Sequence, residues 1–537
     1  MHKYRFRPSV FSTTFSKNST RGIVNGTFTY IYFTNMNNYV LWTLKKSIRL
    51  IGAASAACAG FTASAACAAA AAPAAKGRPN VILIYVDDMG FSDVSAYGGQ
   101  FAPTPNIDRI GKEGIQFMQY YTACPISSPS RVGVTTGMYP TQWGITTFLN
   151  DRRANYRNMS NDYLSSDAPS LARSMKESGY ATGHFGKWHM GGGRDVKTPP
   201  QISEYGFDEW NSTWESPDPD PILTASNWIW SDKDSVKRWD RTAYFVDKTL
   251  DFLARNKEKG IPCYVNLWPD DMHTPYVPSQ DVYKMGNSEW EKKVNFIPVL
   301  AELDKQIGRL LDGLDKLGIA DNTIVIFTSD NGPNPSYKNG RTDGMRGQKA
   351  TLYEGGIRMP FMIRWPARIS AGQVNDETVL CSVDIFPTVC SITKSSPVLN
   401  GYTLDGKDMT KVWLGKSHEK RKSALYWEFG RHFVGKDKPK NAFQTRSPNV
   451  CMRDGDWKVI VNYDGTDLEL YNLKLDRFET ENLADKYPEI AKVMAEKAIK
   501  WFDYAFRRCA PEISEPVSAS KSEAPADSGY LETLILG

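Results

Sequence analysis

Cysteine never occurs in this chain as a Cys-x-x-Cys pair, and histidine is scarce: 537 residues hold eight Cys and six His. Both facts argue against zinc ribbons and dithiol redox motifs. The first 75 positions lack acidic residues altogether but carry eight Lys/Arg: Lys3, Arg5, Arg7, Lys17, Arg21, Lys45, Lys46 and Arg49. Beyond them, 57 basic residues (65 less those eight) face 60 acidic ones. The body is therefore slightly acidic, without the basic surplus of a nucleic-acid binder. A long uninterrupted apolar run is also missing, so no membrane span is expected.

What the N-terminal region does contain reads as a secretory signal. From Met36 onward, "LKKSIRLIGAASAACAGFTASAACAAAAAPAAKG" runs from a basic start through a small, Ala-rich apolar run to Ala-x-Ala options. Residues 1–35 fit no signal pattern, which makes Met36 the alternative start. Cys58 and Cys67 each follow Ser-Ala-Ala, so a lipoprotein is the minority alternative; the usual Leu three places earlier is missing. The expectation is a leader over 1–76 and an exported protein. Six cysteines remain after it (Cys124, Cys263, Cys381, Cys390, Cys451 and Cys509), with their pairing open.

The body opens with "RPNVILIYVDDMG", whose continuous β-branched run from Val81 to Val86 suits a strand buried on both faces of a parallel sheet. The same pattern recurs in "YATGHFGKWHMG", "CYVNLWPDDMHTP" and "NTIVIFTSDNGP", each preceded by a helix-like stretch. The expected fold is α/β, with a mostly parallel central sheet and helices on both faces over 77–400. From about residue 401, short alternating stretches with Asp-Gly turns predict a smaller α+β domain with an antiparallel sheet over 401–510. In it, "LDGKDMTKVWLG", "ALYWEFGRHF" and "VCMRDGDWKVIVNYDGTDLELYNL" read as strands, and "YPEIAKVMAEKAIKWFDYAFRR" as a closing helix. Residues 511–537, rich in Ser, Ala, Pro and Glu, read as a disordered tail.

Each predicted strand ends in chemistry. Asp87 and Asp88 follow the first, Lys187 and His189 the second, Asp270, Asp271 and His273 the third, Asp330 and Asn331 the fourth. Ligands of open parallel sheets bind beyond the carboxyl ends of the strands. An Asp after a strand is ordinarily a turn residue, but four such coincidences at one rim predict a site. The oxygen-only set Asp87, Asp88, Asp330 and Asn331 favours Ca²⁺, or Mg²⁺, over zinc. The stretch "SSPSRVGVTTG" has a plain reading as a helix start, with Ser127 or Ser128 as N-cap and Gly137 as terminator. It also fits an anion site with an oxygen nucleophile beside the fixed cation Arg131. Arg131, Lys187 and Lys349 would offset the charge of a sulfuryl or phosphoryl group.

"SSPSRVGVTTGMYP" resembles the signature of the formylglycine-dependent sulfatases of the alkaline phosphatase superfamily. "NVILIYVDDMGFSDVSAYGG", "TPNIDRI", "GKWHMG", "DMHTP", "FTSDNGP", "GQKATLYEGGIRMP" and "VDIFPT" resemble the other family blocks, in family order, from about Arg78 to Leu483. The resemblance implies that Ser127 is oxidised to formylglycine and sits on the metal with Asp87, Asp88, Asp330 and Asn331. It implies that Arg131 and Lys187 steady the nucleophile, and that His189 orients and deprotonates it. His273 and Lys349 would bind sulfate and protonate the leaving oxygen. A serine in that position resembles bacterial members matured by an anaerobic radical enzyme before export to the periplasm or cell surface.

A phosphate or phosphonate ester hydrolase, and a catalytically silent glycan-binding relative, are the alternatives. The expected substrate is a sulfated hexose or hexosamine from glycosaminoglycan, mucin or algal glycan. Candidate substrate contacts are Asp270, Asp271, Arg346, Trp214, Glu428, Arg431 and His432. Trp210, Trp214, Trp228 and Trp230 either stack on sugar or pack under a long loop.

Overall fold

The computed structural model describes residues 77–192, 196–223, 234–283, 289–335, 340–430 and 447–508. The expected leader and tail therefore lie outside the described residues. Strands of the large sheet are β1 (Asn80–Val86), β2 (Ile115–Tyr121), β3 (Ala181–Gly186), β4 (Glu209–Ser212), β5 (Cys263–Trp268), β6 (Thr323–Ser329), β7 (Arg358–Arg364), β8 (Gln373–Asn375) and β9 (Leu380–Cys381). A second sheet contains β10 (Leu425–Glu428), β11 (Val450–Asp454), β12 (Trp457–Val461) and β13 (Glu469–Asn472). The helices are α1 (Pro105–Lys112), α2 (Ser127–Thr136), α3 (Arg152–Arg157), α4 (Leu171–Glu177), α5 (Arg241–Glu258), α6 (Glu289–Lys316), α7 (Glu354–Ile357), α8 (Ile385–Thr393), α9 (Thr410–Trp413) and α10 (Pro488–Arg508).

The large sheet has nine strands in the order β4-β3-β5-β1-β6-β7-β2-β8, with β9 also on β2. All pairings are parallel except those of β7 with β6 and with β2. Alternation along β1 shows why an unbroken apolar run was needed. Val81, Leu83 and Tyr85 enter one core, while Ile82, Ile84 and Val86 enter the other. The first core is closed by α2, α4 and α8, the second by α1, α5 and α6. Full burial of each such aliphatic side chain contributes about 1.5–3 kcal/mol. The four strands expected to deliver the site, β3, β5, β1 and β6, are neighbours and all parallel, so their carboxyl ends share one rim.

The smaller antiparallel sheet follows the expectation in β10–β13, with α10 as the closing helix. In β11, Val450 and Met452 face α10 while Cys451 faces a core shared with Tyr121 and Leu352. The "LDGKDMTKVWLG" stretch departs from the expected strand: its described element is the short helix α9, whose Val412 and Trp413 fill the first core. Cys124, Cys263, Cys381, Cys390 and Cys451 are buried free thiols, and Cys509 lies outside the described residues.

Candidate active site

The first turn of α2 differs from the capping expectation. Its N-cap is Ile126, in extended conformation (φ −149°, ψ 153°), and no side chain caps the helix. Ser127 is instead the first helical residue. Its hydroxyl donates to Asp87 Oδ1 at 2.8 Å and lies 3.3 Å from Asn331 Oδ1. Gly137 ends the helix as expected, in the left-handed region (φ 67°). The side chain is thus released from capping and turned to the strand ends.

Asp87, Asp88 and Asp330 are fully buried and offer carboxylate oxygens within 4.8 Å of one another. Asp88 has φ 57°, a left-handed backbone that turns the chain sharply after β1. Its amide donates to Asp330 Oδ1 (3.0 Å), and its Oδ1 accepts from Asn331 Nδ2 (2.7 Å). That leaves Asn331 Oδ1 turned toward Ser127. Burial opposes ionisation of Asp87, but Lys187, His273, Arg131 and Lys349 outweigh it and hold its carboxyl well below the usual range. Asp330 is pushed up to about 7 by burial and the charge of Asp87. The three carboxylates converge on one spot, and each meets one cation: Asp330 meets Arg131, Asp87 meets Lys187 and Asp88 meets Lys349. An all-oxygen donor set of this kind fits a hard divalent cation.

The cations ring this cluster. Arg131, wholly buried, donates to Asp330 Oδ2 (2.8 Å) and to the Lys187 carbonyl (2.8 Å), with its guanidinium 5.2 Å from the Trp268 ring centre. Lys187 Nζ donates to Asp87 Oδ2 (2.8 Å) and lies 3.8 Å from Glu215. Lys349 Nζ donates to Asp88 Oδ2 (2.7 Å) and lies 3.1 Å from His273 Nε2.

Burial disfavours the charged form of both histidines. His273 Nδ1 lies 2.7 Å from the Thr274 carbonyl, which requires Nδ1–H to donate and leaves Nε2 to accept from Lys349. Burial, then Lys349, pushes its pKa down to about 4 against the pull of Asp88 and Asp87. His189 Nε2 lies 3.3 Å from the Leu149 carbonyl, so Nδ1 carries the lone pair; that atom is buried without a partner. Burial, Lys187 and Arg131 hold His189 well below its ordinary value.

Ser127, Arg131, Lys187, His273, Lys349, Asp87, Asp88, Asp330 and Asn331 are thus linked by hydrogen bonds and ion pairs, and His189 feels the charges of Lys187 and Arg131. The substrate-contact expectations fare differently. Asp270 is fully buried and paired with Arg238 and Arg241, the latter at 2.9 Å. Asp271 accepts from Thr242, and burial with the neighbouring Asp270 pushes it up to about 7. Side chains from the turn before α5 (Arg238) and from its first residues (Arg241, Thr242) therefore hold both aspartates of the His273 loop. Arg346 stacks on Tyr353 (3.9 Å) and donates to Tyr471 (2.7 Å), so it binds the second sheet. Glu428 is 3% exposed and accepts from Thr141 at 3.2 Å, a packing position. Trp214 is half-buried beside Glu215, whose carbonyl accepts from the His189 amide. Trp228, Trp230, Arg431 and His432 lie outside the described residues. Glu215 and Arg238 went unnoticed in the sequence because no motif marks a residue that meets the site only through folding.

The family model described as Sulfatase matches residues 79–395, and that described as N-sulphoglucosamine sulphohydrolase, C-terminal, matches 347–501. The chain is 27% identical over 504 residues to an N-acetylgalactosamine-6-O-sulfatase of Bacteroides thetaiotaomicron, covering 78% of this chain and 92% of that protein. It is 31% identical over 365 residues to the N-acetylgalactosamine-6-sulfatase of Canis lupus familiaris, covering 63% and 66%. The fold matches a solved structure from work on glycosaminoglycan metabolism by Bacteroides thetaiotaomicron, with TM-score 0.63 and 24% identity over 79% of this chain and 99% of that one. The ordered blocks, the fold and the family match agree: this chain belongs to the sulfatase family of the alkaline phosphatase superfamily and hydrolyses sulfate esters.

Proposed function

We propose that the chain is an exported carbohydrate sulfatase that removes sulfate from a hexosamine or hexose, with 6-O-sulfated N-acetylgalactosamine the first substrate to test. The observation that carries the reading is the Ser127 hydroxyl 2.8 Å from Asp87, at the head of α2 and within a ring of three cations. The substrate choice is supported by the printed activities of the relatives.

Asp87, Asp88, Asp330 and Asn331 would hold Ca²⁺, or Mg²⁺, which would supply positive charge to the nucleophile and the sulfuryl group. Ser127, oxidised to formylglycine by an anaerobic radical-type maturase before export, supplies on hydration a hydroxyl able to attack sulfur. A plain serine without an adjacent base is a poor nucleophile. Arg131 and Lys187 hold positive charge against the attacking oxygen, and His189 Nδ1 accepts a proton at its free lone pair. Lys349, with His273 Nε2 3.1 Å away, would bind the sulfate. His273 and Lys349 together supply the proton for the leaving alcohol. Trp214, half-buried beside the His189 segment, remains the candidate sugar contact.

The test is sulfate release by ion chromatography. The protein is co-expressed with the maturase, supplied with Ca²⁺, and offered singly sulfated galactose, N-acetylgalactosamine and N-acetylglucosamine, with phosphomonoesters alongside. Peptide mass reports conversion of Ser127, and N-terminal sequencing of the exported form reports the cleavage site. Release from a sulfated sugar by the parent but not by Ser127→Ala supports the reading. Full conversion with turnover of phosphoesters alone overturns it.

A further inference from the structure

Behind the rim, Arg341 ties together three segments that each carry a site residue. It is fully buried, and its Nε and Nη2 grip both oxygens of Asp93 (2.7–3.1 Å). Nη2 also donates to the Asp88 carbonyl at 2.9 Å, and Nη1 to the Tyr276 hydroxyl at 2.5 Å. Phe296 of α6 lies under the guanidinium at 4.4 Å. One planar fork therefore holds the turn after β1, the loop of His273, and its own segment, which continues to Lys349.

The backbone supports the same junction. The Ser92 amide donates to the Arg341 carbonyl at 3.1 Å. Gly90 approaches so closely that a Cβ there would lie 2.2 Å from that carbonyl oxygen. Asp88, two residues before Gly90, holds a left-handed backbone (φ 57°), a conformation disfavoured for most residues with a Cβ. Its carboxylate meets Lys349 at 2.7 Å and lies 3.7 Å from His273 Nε2.

We infer that Arg341 is a positioning residue: by clamping the Asp88 carbonyl and the Tyr276 hydroxyl, it holds Asp88 in its left-handed turn and sets the spacing of Asp88, Lys349 and His273. The inference rests on the proposed reading of Asp88 as a metal ligand. Asp93 is the anchor that keeps the guanidinium in place. Lysine would keep a charge beside Asp93 but cannot span Asp93, the Asp88 carbonyl and Tyr276 at once. The Arg341→Lys variant therefore separates charge neutralisation from positioning.

The experiment titrates Ca²⁺ by calorimetry into the full exported chain as parent, Arg341→Lys and Tyr276→Phe, with thermal unfolding and sulfate-release kinetics on the same preparations. Partners that orient metal ligands typically change affinity by about 10- to 100-fold when altered. Arg341→Lys is expected to weaken Ca²⁺ binding by about that factor and to lower kcat more than it raises KM, even where unfolding stays close to the parent. Tyr276→Phe, which removes one hydroxyl and fills the same space, is expected to fall between the two. Parent-like Ca²⁺ affinity and kcat in folded Arg341→Lys would overturn the inference. If Arg341→Lys does not fold, parent-like values in Tyr276→Phe overturn it instead. A parent that binds neither Ca²⁺ nor Mg²⁺ removes the metal-site reading itself, and this inference with it.

Discussion

The Ser127 hydroxyl donates to Asp87 Oδ1 at 2.8 Å, joining the first turn of α2 to the end of β1. Asp87 does not depend on this bond for its charge, because Lys187 donates to its other oxygen at 2.8 Å. Ser127→Ala is therefore expected to abolish sulfate release while costing only about 1.5–3 kcal/mol in stability, the range for a hydrogen bond to a charged group. Equilibrium urea unfolding beside the activity assay checks both halves. Retained turnover in the variant would remove Ser127 from the chemistry.

Ca²⁺ is expected to stabilise the fold as well as activate it. Three buried carboxylates within 4.8 Å gain a counter-charge that the unfolded chain cannot organise. A ligand at a hundred times its Kd stabilises by about 2.7 kcal/mol. Chelation should lower the unfolding midpoint, and added Ca²⁺ should restore it. In Asp330→Asn the Ca²⁺-dependent increment should shrink strongly. An unfolding midpoint unaffected by chelator in the parent would count against the ion.

Much of this site was legible before folding because its members sit directly after four apolar runs. The rule that parallel-sheet ligands lie past strand ends then needed only the strands to be neighbours, and β3, β5, β1 and β6 are. What escaped was anything decided by three-dimensional reach. Asp270 and Asp271 look like site carboxylates in sequence, yet Arg238, Arg241 and Thr242 from about thirty positions upstream consume them. Ser127 reads as an N-cap, but its hydroxyl faces Asp87 because Ile126 takes the cap position. The α9 segment mixes Asp-Gly turn signals with only one helical turn, too short for periodicity to declare itself.

Gly90→Ala is expected to be destabilising for a steric reason unrelated to helix or strand propensity. The added methyl would sit 2.2 Å from the Arg341 carbonyl oxygen and 3.0 Å from Pro333 Cγ, so two backbones must separate. Overpacking of this kind costs about 1–3 kcal/mol. The loss should appear in urea unfolding. Sulfate release should fall further than the stability change alone explains, since Asp88 lies next to the displaced turn. A variant with parent-like stability and turnover would show that the junction tolerates expansion.

The contact between the large and small sheets should titrate. Lys458 is buried between Glu354 (3.0 Å) and Glu479 (2.8 Å), with Arg358 also on Glu354 at 3.3 Å. Burial opposes both charges. For Glu354 the fields of Lys458, Arg358 and Arg453 win, and its pKa falls to about 2. For Glu479 burial and the charge of Glu354 win over Lys458, and its pKa rises to about 7. The signs are opposite. Glu354 contributes stability above its unfolded value near 4.5, which is lost as pH falls toward 2. Glu479 contributes stability that is complete below about 4.5 and is lost as pH rises through 7. Between pH 5 and 8 the parent should therefore lose stability relative to Glu479→Gln, which cannot ionise, by on the order of 1–3 kcal/mol. Urea unfolding of both proteins across that range measures the difference directly. A constant gap from pH 5 to 8 would mean that Glu479 is already ionised in the folded protein and that Lys458 balances both carboxylates.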